Sequence, residues 1–359
     1  MERISLWLLA GILITAAVFM LKASAGDSAI MDELAHIPAG YGYVHNFDYR
    51  LNPEHPPLLK AMAMIPALSL NPVFPTDNPA WQTLLNGQWD MGRAFLYESG
   101  NNPDAIIRVA RYFPIFLTLL TALLIFGLSA GLFGKAWALM PTFLFAFSPT
   151  ILAHGHYVTT DVAATFGILL GTIVFFKYLF TPSRKTLFLA GLAFGVAELC
   201  KFSVVLLVPY FAVLAILWPF VVAWGDELGT KEKIRLFFRL GFRKLCGLAA
   251  IMAIGYLIVV YPVYFLFTRN YPLEKQSAET AELLNSYAHG PTAPGASCAL
   301  TRCPAEITIW ASKNEITRPL AEYSLGVLMT IQRAAGGNSS YFLGDLSKTG
   351  SRLYFPLVF

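Results

Sequence analysis

At 359 residues, with 56% hydrophobic and 13% charged side chains and a mean hydropathy of +0.56, the chain departs from soluble domains, which carry about twice that charged share. Its formal charge of +4 is small and scattered, which gives no basic surface for nucleic acid. What remains is an all-α polytopic membrane protein, and one membrane bundle with large loops fits the length better than two soluble domains.

The first apolar run, Ile4–Leu21, is long enough for a retained span, although the "ASA" that follows also fits a signal-peptidase site. Next comes the stretch "MDELAHIPAGYGYVHNFDYRLNPEHPPLLK" (31–60), which gathers Asp32, Glu33, His36, His45, Asp48, Arg50, Glu54, His55 and Lys60. The segment "PPLLKAMAMIPALSL" predicts a helix opened by its prolines and apolar apart from Lys60, lying in the outer membrane interface. Further runs follow at Ile106–Leu128, Ala136–Leu152, Val162–Phe180, Leu187–Leu199, Val204–Ala223 and Leu245–Phe267. The fifth run is short and could form a hairpin with the sixth. Residues 1–268 thus read as a transmembrane bundle of about seven spans.

The connectors "TPSRKT" and "WGDELGTKEKIRLFFRLGFRK" carry Arg184, Lys185, Lys231, Lys233, Arg235, Arg239, Arg243 and Lys244, which the positive-inside rule assigns to the cytoplasm. Parity then puts the outer loop 22–105, the "HGHYVTTD" turn and residues 269–359 on the other side. The last of these regions is rich in Pro, Gly, Ser and Thr and reads as largely loop. It ends in "GSRLYFPLVF", the opening of a further span cut short, as expected of a fragment. Cys298 and Cys303 share this loop and could form a disulfide on the outer side, whereas Cys200 and Cys246 sit in apolar runs. Asn338-Ser339-Ser340 matches a glycosylation sequon.

Several constellations could carry chemistry, and each has a plainer reading. Asp32-Glu33 suits a catalytic base whose neighbour raises its proton affinity, or a solvated helix start. In "NPEHPPLLK" the prolines stiffen the backbone that presents Glu54, His55 and Lys60, either to grip a phosphate or as polar decoration of a turn. In the turn at 153–161, His154, His156 and Asp161 could join Asp32 around a divalent cation, the one cofactor the residues suggest, or could bond locally and cap the next helix. Arg108 and Arg111 lie at i,i+3 and suit phosphate oxygens, or snorkel as membrane anchors. Glu198 and Lys201 are also three apart, either a functional intramembrane pair or a structural one at a bend. No nucleotide-binding loop or protease motif is present.

The acidic pair after the first span, then "EHPPLLK", then "FSPTILAHGHYVTTD", resembles the GT-C glycosyltransferases. The likeness is to the protein O-mannosyltransferase-like branch, which also takes in bacterial lipid A aminoarabinose transferases. "LCKFSVVLLVP" and "YFLGDLSKTGSRLYFP" are similar to segments of the same branch. The resemblance implies a GT-C-like helical bundle with interfacial helices in the first outer loop. It implies a multi-pass enzyme of a bacterial inner or plasma membrane, with its active site periplasmic or extracellular. Such enzymes move a hexosyl or pentosyl group, with inversion, from a polyprenyl-phosphate monosaccharide donor to a hydroxyl acceptor on protein, glycan or lipid.

Carried over by position, the resemblance gives Asp32 as the catalytic acidic residue with Glu33 beside it, Glu54 near the donor phosphate, and Asp161 as the second acidic position. His55, Lys60, Arg108, Arg111 and Lys201 are the cations available to the departing phosphate. The aminoarabinose branch commonly has Lys after that Glu. His55 stands there in this chain, which argues against lipid A modification. The expected partners are the lipid-linked donor, membrane lipids and the acceptor. A transporter or flippase of a lipid-linked or small polar substrate is the alternative, though it would want its charges near the bilayer midplane and paired broken helices.

Overall fold

The computed structural model describes residues 2–225, 227–293, 297–337 and 339–358. They form two compact units, residues 1–271 and 272–359. Helices dominate both.

In the first unit, α1 (Glu2–Gly26) is apolar all round. The acidic stretch forms α2 (Met31–Tyr41), and the Pro-rich motif leads into α3 (Leu58–Met64). Asn102 caps α4 (Pro103–Ala110) through the Ala105 N–H, 3.1 Å away, and Arg111 then joins it to α5 (Tyr112–Phe133). α6 (Lys135–Ala146) and α7 (Pro149–His154) follow, then α8 (Thr160–Phe180) and α9 (Arg184–Glu198). Ser183 and Thr186 close a reciprocal cap on α9, with Oγ to N–H distances of 3.1 and 2.9 Å. α10 (Leu207–Gly225) and α11 (Thr230–Ile254) complete the bundle, and α11 runs on in helical conformation to Phe267.

Among the described residues five helical stretches are long and apolar enough to cross a membrane: Arg3–Gly26, Pro103–Phe133, Thr160–Phe180, Phe202–Gly225 and Thr230–Phe267. Two of the seven expected spans fall short. The run Ala136–Leu152 is split between α6 and α7, because Pro149 has no N–H to continue a helix and starts a new one. The run Leu187–Leu199 yields only the 15-residue α9. Leu58–Leu70 is helical but too short to cross, in keeping with an interfacial helix.

The first loop is folded, not draped. Ile37, Tyr41, Leu59, Met64, Phe95, Ile107 and Phe166 share one buried cluster, so α2 and α3 pack on the bundle through their apolar sides. α2 fits because two glycines leave room. A Cβ at Gly40 would lie 2.2 Å from the Lys60 carbonyl oxygen, and one at Gly92 would lie 1.9 Å from that of Leu34.

The second unit corrects the expectation of a loop. It holds α12 (Leu273–Leu283), α13 (Cys303–Ala311) and α14 (Arg318–Gly336) around Leu284, Tyr287, Ala305, Leu325 and Leu328. Its polar stretch "LEKQSAETAEL" buries Gln276 and Thr280 rather than exposing them. A small antiparallel pair, β1 (Ser340–Phe342) and β2 (Asp345–Ser347), sets Tyr341 opposite Leu346. Cys298 and Cys303 are joined in a disulfide. Asn338 of the sequon lies outside the described residues.

Candidate active site

Adjacent residues on a helix point about 100° apart, and α2 uses this to separate the two acids. Asp32 is exposed and makes no hydrogen bond or ion pair with another described residue. Glu33 is fully buried. Its Oε1 accepts from Arg111 Nε at 2.8 Å and its Oε2 from Arg111 Nη2 at 2.6 Å. It also accepts the Val158 N–H at 3.1 Å and caps its own helix through the Ile30 N–H at 3.1 Å. The remaining Arg111 donors go to the carbonyls of Ser24, Asp27 and Ser28 at 2.8–3.0 Å. Glu33 and Arg111 therefore tie α1, α2, α5 and the turn before α8 together. The expectation of Glu33 at the chemistry and Arg111 on a phosphate is corrected, because no donor or charge is left over.

Lys60 is corrected for the same reason. Its Nζ lies wholly buried and donates within 2.6–3.0 Å to Tyr43 Oη, Asn52 O and Oδ1, and His55 O. Burial lowers its pKa well below the ordinary lysine value, opposed by the Glu54 carboxylate. Four surrounding oxygens favour the ammonium form and fix the "NPEH" loop around it. Glu54 accepts from Asn86 Nδ2 at 3.0 Å and Gln88 Nε2 at 2.5 Å, and Asn52 Nδ2 donates to Gln88 Oε1. The Pro-rich motif is thus held rigidly by its own polar network.

A second cluster forms where this loop meets the two turns. The Leu58 N–H donates to the Leu199 carbonyl at 3.3 Å, which joins the Pro-rich motif to the end of α9. One turn along α2 from Asp32, the buried His36 donates Nδ1–H to the Val158 carbonyl at 2.6 Å, and its ring meets His55 edge-on with centroids 5.1 Å apart. Burial first, and then the charge of Lys60, push the His36 pKa down to about 3, so the ring stays neutral. Asp161, in the first turn of α8, pairs with Lys201 at 2.6 Å. Both are close enough to act on the charge of His36. Lys201 thus reaches across to Asp161, while Glu198 is buried. Thr159 Oγ1 is buried beside them with no hydrogen-bond partner among the described residues.

The remaining residues divide differently from expectation. Asp27 Oδ2 accepts the Tyr157 hydroxyl at 2.8 Å and lies 3.0 Å from His156 Nε2, while His156 Nδ1 faces the Leu152 carbonyl at 3.0 Å. The Tyr157 bond chiefly holds the Asp27 carboxyl below the usual range. Arg108 is exposed and lines a cavity of about 250 Å³ with Asp27, Ser28 and Asp104. His154 is exposed at the end of α7. Among the described residues no three His, Cys, Asp or Glu side chains gather as a metal site. Asp32, His154, His156 and Asp161 are not brought together, because His156 faces Asp27 and Asp161 faces Lys201. Sequence reasoning gave no role to His36, Asp27 or Tyr157. The i,i+4 spacing of Asp32 and His36 was the signal available.

Beside the Asp161–Lys201 pair a largely apolar cavity of about 760 Å³ opens between α5, α6, α8 and α10. It is lined by Ile125, Phe145, Thr165, Leu169, Ser203 and Tyr210, among others. Thr165 sits one turn after Asp161 and donates to its carbonyl at 3.1 Å.

The family model described as dolichyl-phosphate-mannose-protein mannosyltransferase matches residues 10–267. The chain is also similar to the structure of the S. cerevisiae protein O-mannosyltransferase Pmt1-Pmt2 complex bound to the sugar donor. The TM-score is 0.52 at 20% identity, over 74% of this chain and 34% of that one. At that identity the likeness is one of fold, and the chain spans about a third of that relative's length. No curated protein matches the chain.

Proposed function

The chain belongs to the dolichyl-phosphate-mannose-protein mannosyltransferase family, and from that membership we propose that it transfers mannose from a polyprenyl-phosphate donor to a hydroxyl acceptor. One observation carries the reading: Asp32 stands exposed and unengaged at the start of α2, while the adjacent Glu33 is locked in the fold. A base needs an accessible, unpaired carboxylate within reach of the acceptor.

In this mechanism Asp32 takes the proton of the acceptor hydroxyl. The acceptor oxygen bonds to the anomeric carbon as the bond from that carbon to the phosphate oxygen breaks. The electron pair leaves with the polyprenyl phosphate, and one displacement inverts the anomeric centre. Lys201 supplies positive charge for the departing phosphate, and Asp161 positions it. The groove beside them takes the prenyl chain.

α8 supports the sidedness of this reading. Asp161 lies in its first turn and Lys177 in its last, so the site and the basic connectors occupy opposite ends of one membrane-spanning helix. The positive-inside rule then supports an active site on the non-cytoplasmic face. The Cys298–Cys303 disulfide supports an oxidising compartment for the second unit. Family membership favours transfer over the transporter alternative.

The test offers labelled polyprenyl-phosphate mannose to membranes carrying the chain or its Asp32→Asn variant, at matched expression. Loss of about 10²–10⁴-fold in the variant is expected of a general base. Equal transfer by both would remove Asp32 from that role.

A further inference from the structure

The end of the bundle away from the active site carries a cavity that the transfer reaction does not use. It measures about 390 Å³ and lies where the end of α8, the start of α9 and α11 meet, lined by Tyr178, Leu187, Leu240, Arg243, Lys244 and Cys246 among others. Lys244 is more than nine-tenths buried. One of its N–H groups caps α8 at the Leu179 carbonyl, 2.8 Å away, and its ammonium lies 4.9 Å from the centre of the Tyr178 ring. Tyr178 can take this place because residue 247 is glycine: a Cβ there would lie 1.7 Å from the phenol oxygen. Arg243 is exposed and lines the same cavity as Tyr178.

α11 extends this chemistry outward. Lys231, Arg235, Arg239 and Arg243 recur every four residues and so form one ridge along the helix. Alongside runs a ridge of Ile234, Phe238 and Phe242, which are 44%, 68% and 71% exposed. The helix continues over 38 residues from Thr230 to Phe267, about 57 Å at 1.5 Å per residue. A hydrocarbon core of about 30 Å cannot contain it. Its first turns therefore lie at the depth of the lipid headgroups, with phenylalanines for the acyl boundary and a row of cations for phosphates. The described residues that line the cavity include no acidic side chain.

We propose that this cavity is a binding site for the headgroup of an anionic phospholipid, with Arg243 and Lys244 holding the phosphate and Phe238 and Phe242 lying against its acyl chains. Basic pockets between membrane helices on the positive side recognise such headgroups. A free phosphate would gain nothing from the exposed phenylalanines or from the apolar walls at Leu187 and Leu240. The site favours lipids with a net negative headgroup over zwitterionic ones.

Cys246 provides the readout, since it is the exposed free thiol of the chain and lines the cavity. The full chain is reconstituted in nanodiscs of phosphatidylcholine alone or with phosphatidylglycerol, and the rate of maleimide labelling at Cys246 is followed. Slowing of about fivefold is expected with phosphatidylglycerol, the scale of one basic contact at a membrane surface. Arg243→Gln, at an exposed position, abolishes most of that protection, and Arg239→Gln, one turn further out, reduces it less. Equal labelling in both discs would overturn the site, and so would protection that Arg243→Gln leaves intact. Inorganic phosphate in phosphatidylcholine discs protecting as well as phosphatidylglycerol would overturn its assignment to a lipid. If Arg243→Gln fails to fold, the comparison of the two discs with the unmodified chain decides the matter.

Discussion

Glu33 and Arg111 face each other through two hydrogen bonds, at 2.8 and 2.6 Å, with both side chains wholly removed from solvent. The remaining donors of Arg111 are taken up by three backbone carbonyls. Removing one partner strands a buried charge, which costs about 3–5 kcal/mol. Arg111→Ala should therefore lose most of its folded population in mild detergent, as read by thermal unfolding. Arg111→Lys should rescue little, because an ammonium cannot make the paired contacts of a guanidinium. A melting temperature for either variant within a degree or two of the parent would show that the pair is not what holds α1, α2 and α5 together.

The neighbouring residue should behave in the opposite way. The exposed Asp32 side chain makes no hydrogen bond or ion pair with another described residue, so Asp32→Asn should change stability by no more than about 0.5 kcal/mol. Paired unfolding curves for Asp32→Asn and Glu33→Gln test the division of labour without any substrate. The first should overlay the parent and the second should not. If both variants melt early, Asp32 is also part of the scaffold, and a loss of transfer in Asp32→Asn would no longer identify a base.

How far this was legible in the sequence can be argued from these residues. The long apolar windows gave five of the helices because a span must be apolar over its whole length. The Pro-rich motif marked a rigid loop, since proline restricts the backbone wherever it stands. Which of two adjacent acids faces inward was not legible, because the answer depends on Arg111, 78 residues away. Lys60 looked available for the same reason: its acceptors, on Tyr43 and on the loop residues Asn52 and His55, are brought around it by tertiary packing. The run at 136–152 read as continuous because hydropathy weighs proline lightly, whereas a helix does not. In the second unit, turns rich in glycine and proline hid helices whose buried side chains are partly polar.

His36 makes stability depend on pH. Its folded pKa is about 3 against an ordinary 6.5. Between those values the unfolded chain binds a proton that the folded chain refuses. Stability is therefore full above about 6.5 and falls as pH drops towards 3, by up to about 1.4 kcal/mol per pH unit. Asp27, whose folded pKa is also depressed, adds to the loss only at the acid end, below its ordinary value of 3.8. His36→Asn keeps an N–H for the Val158 carbonyl but does not titrate. Its unfolding midpoint should be flatter than the parent's between pH 6.5 and 4, and two parallel profiles would show that His36 is not the group responsible.

The groove beside Asp161 and Lys201 makes a prediction about donor length. Leu169 lies about two helical turns beyond Asp161 on α8, and with Ser203 and Tyr210 it lines a cavity of about 760 Å³. A short prenyl phosphate would place its phosphate at Lys201 and fill only the mouth, while a long one would follow the groove. Leu169→Trp adds volume to the wall without touching Asp32, Asp161 or Lys201. It should raise KM for a long-chain polyprenyl-phosphate mannose by about tenfold, the scale of burying one or two fewer methylene groups. KM for a donor of two prenyl units, and kcat for either donor, should stay near the parent values, because the prenyl chain packs in the groove equally well in the ground and transition states. Lys201→Gln should instead lower kcat with donors of both lengths, since charge develops on the phosphate only as the bond breaks. A tryptophan variant that loses kcat equally with both donors would place the lipid elsewhere.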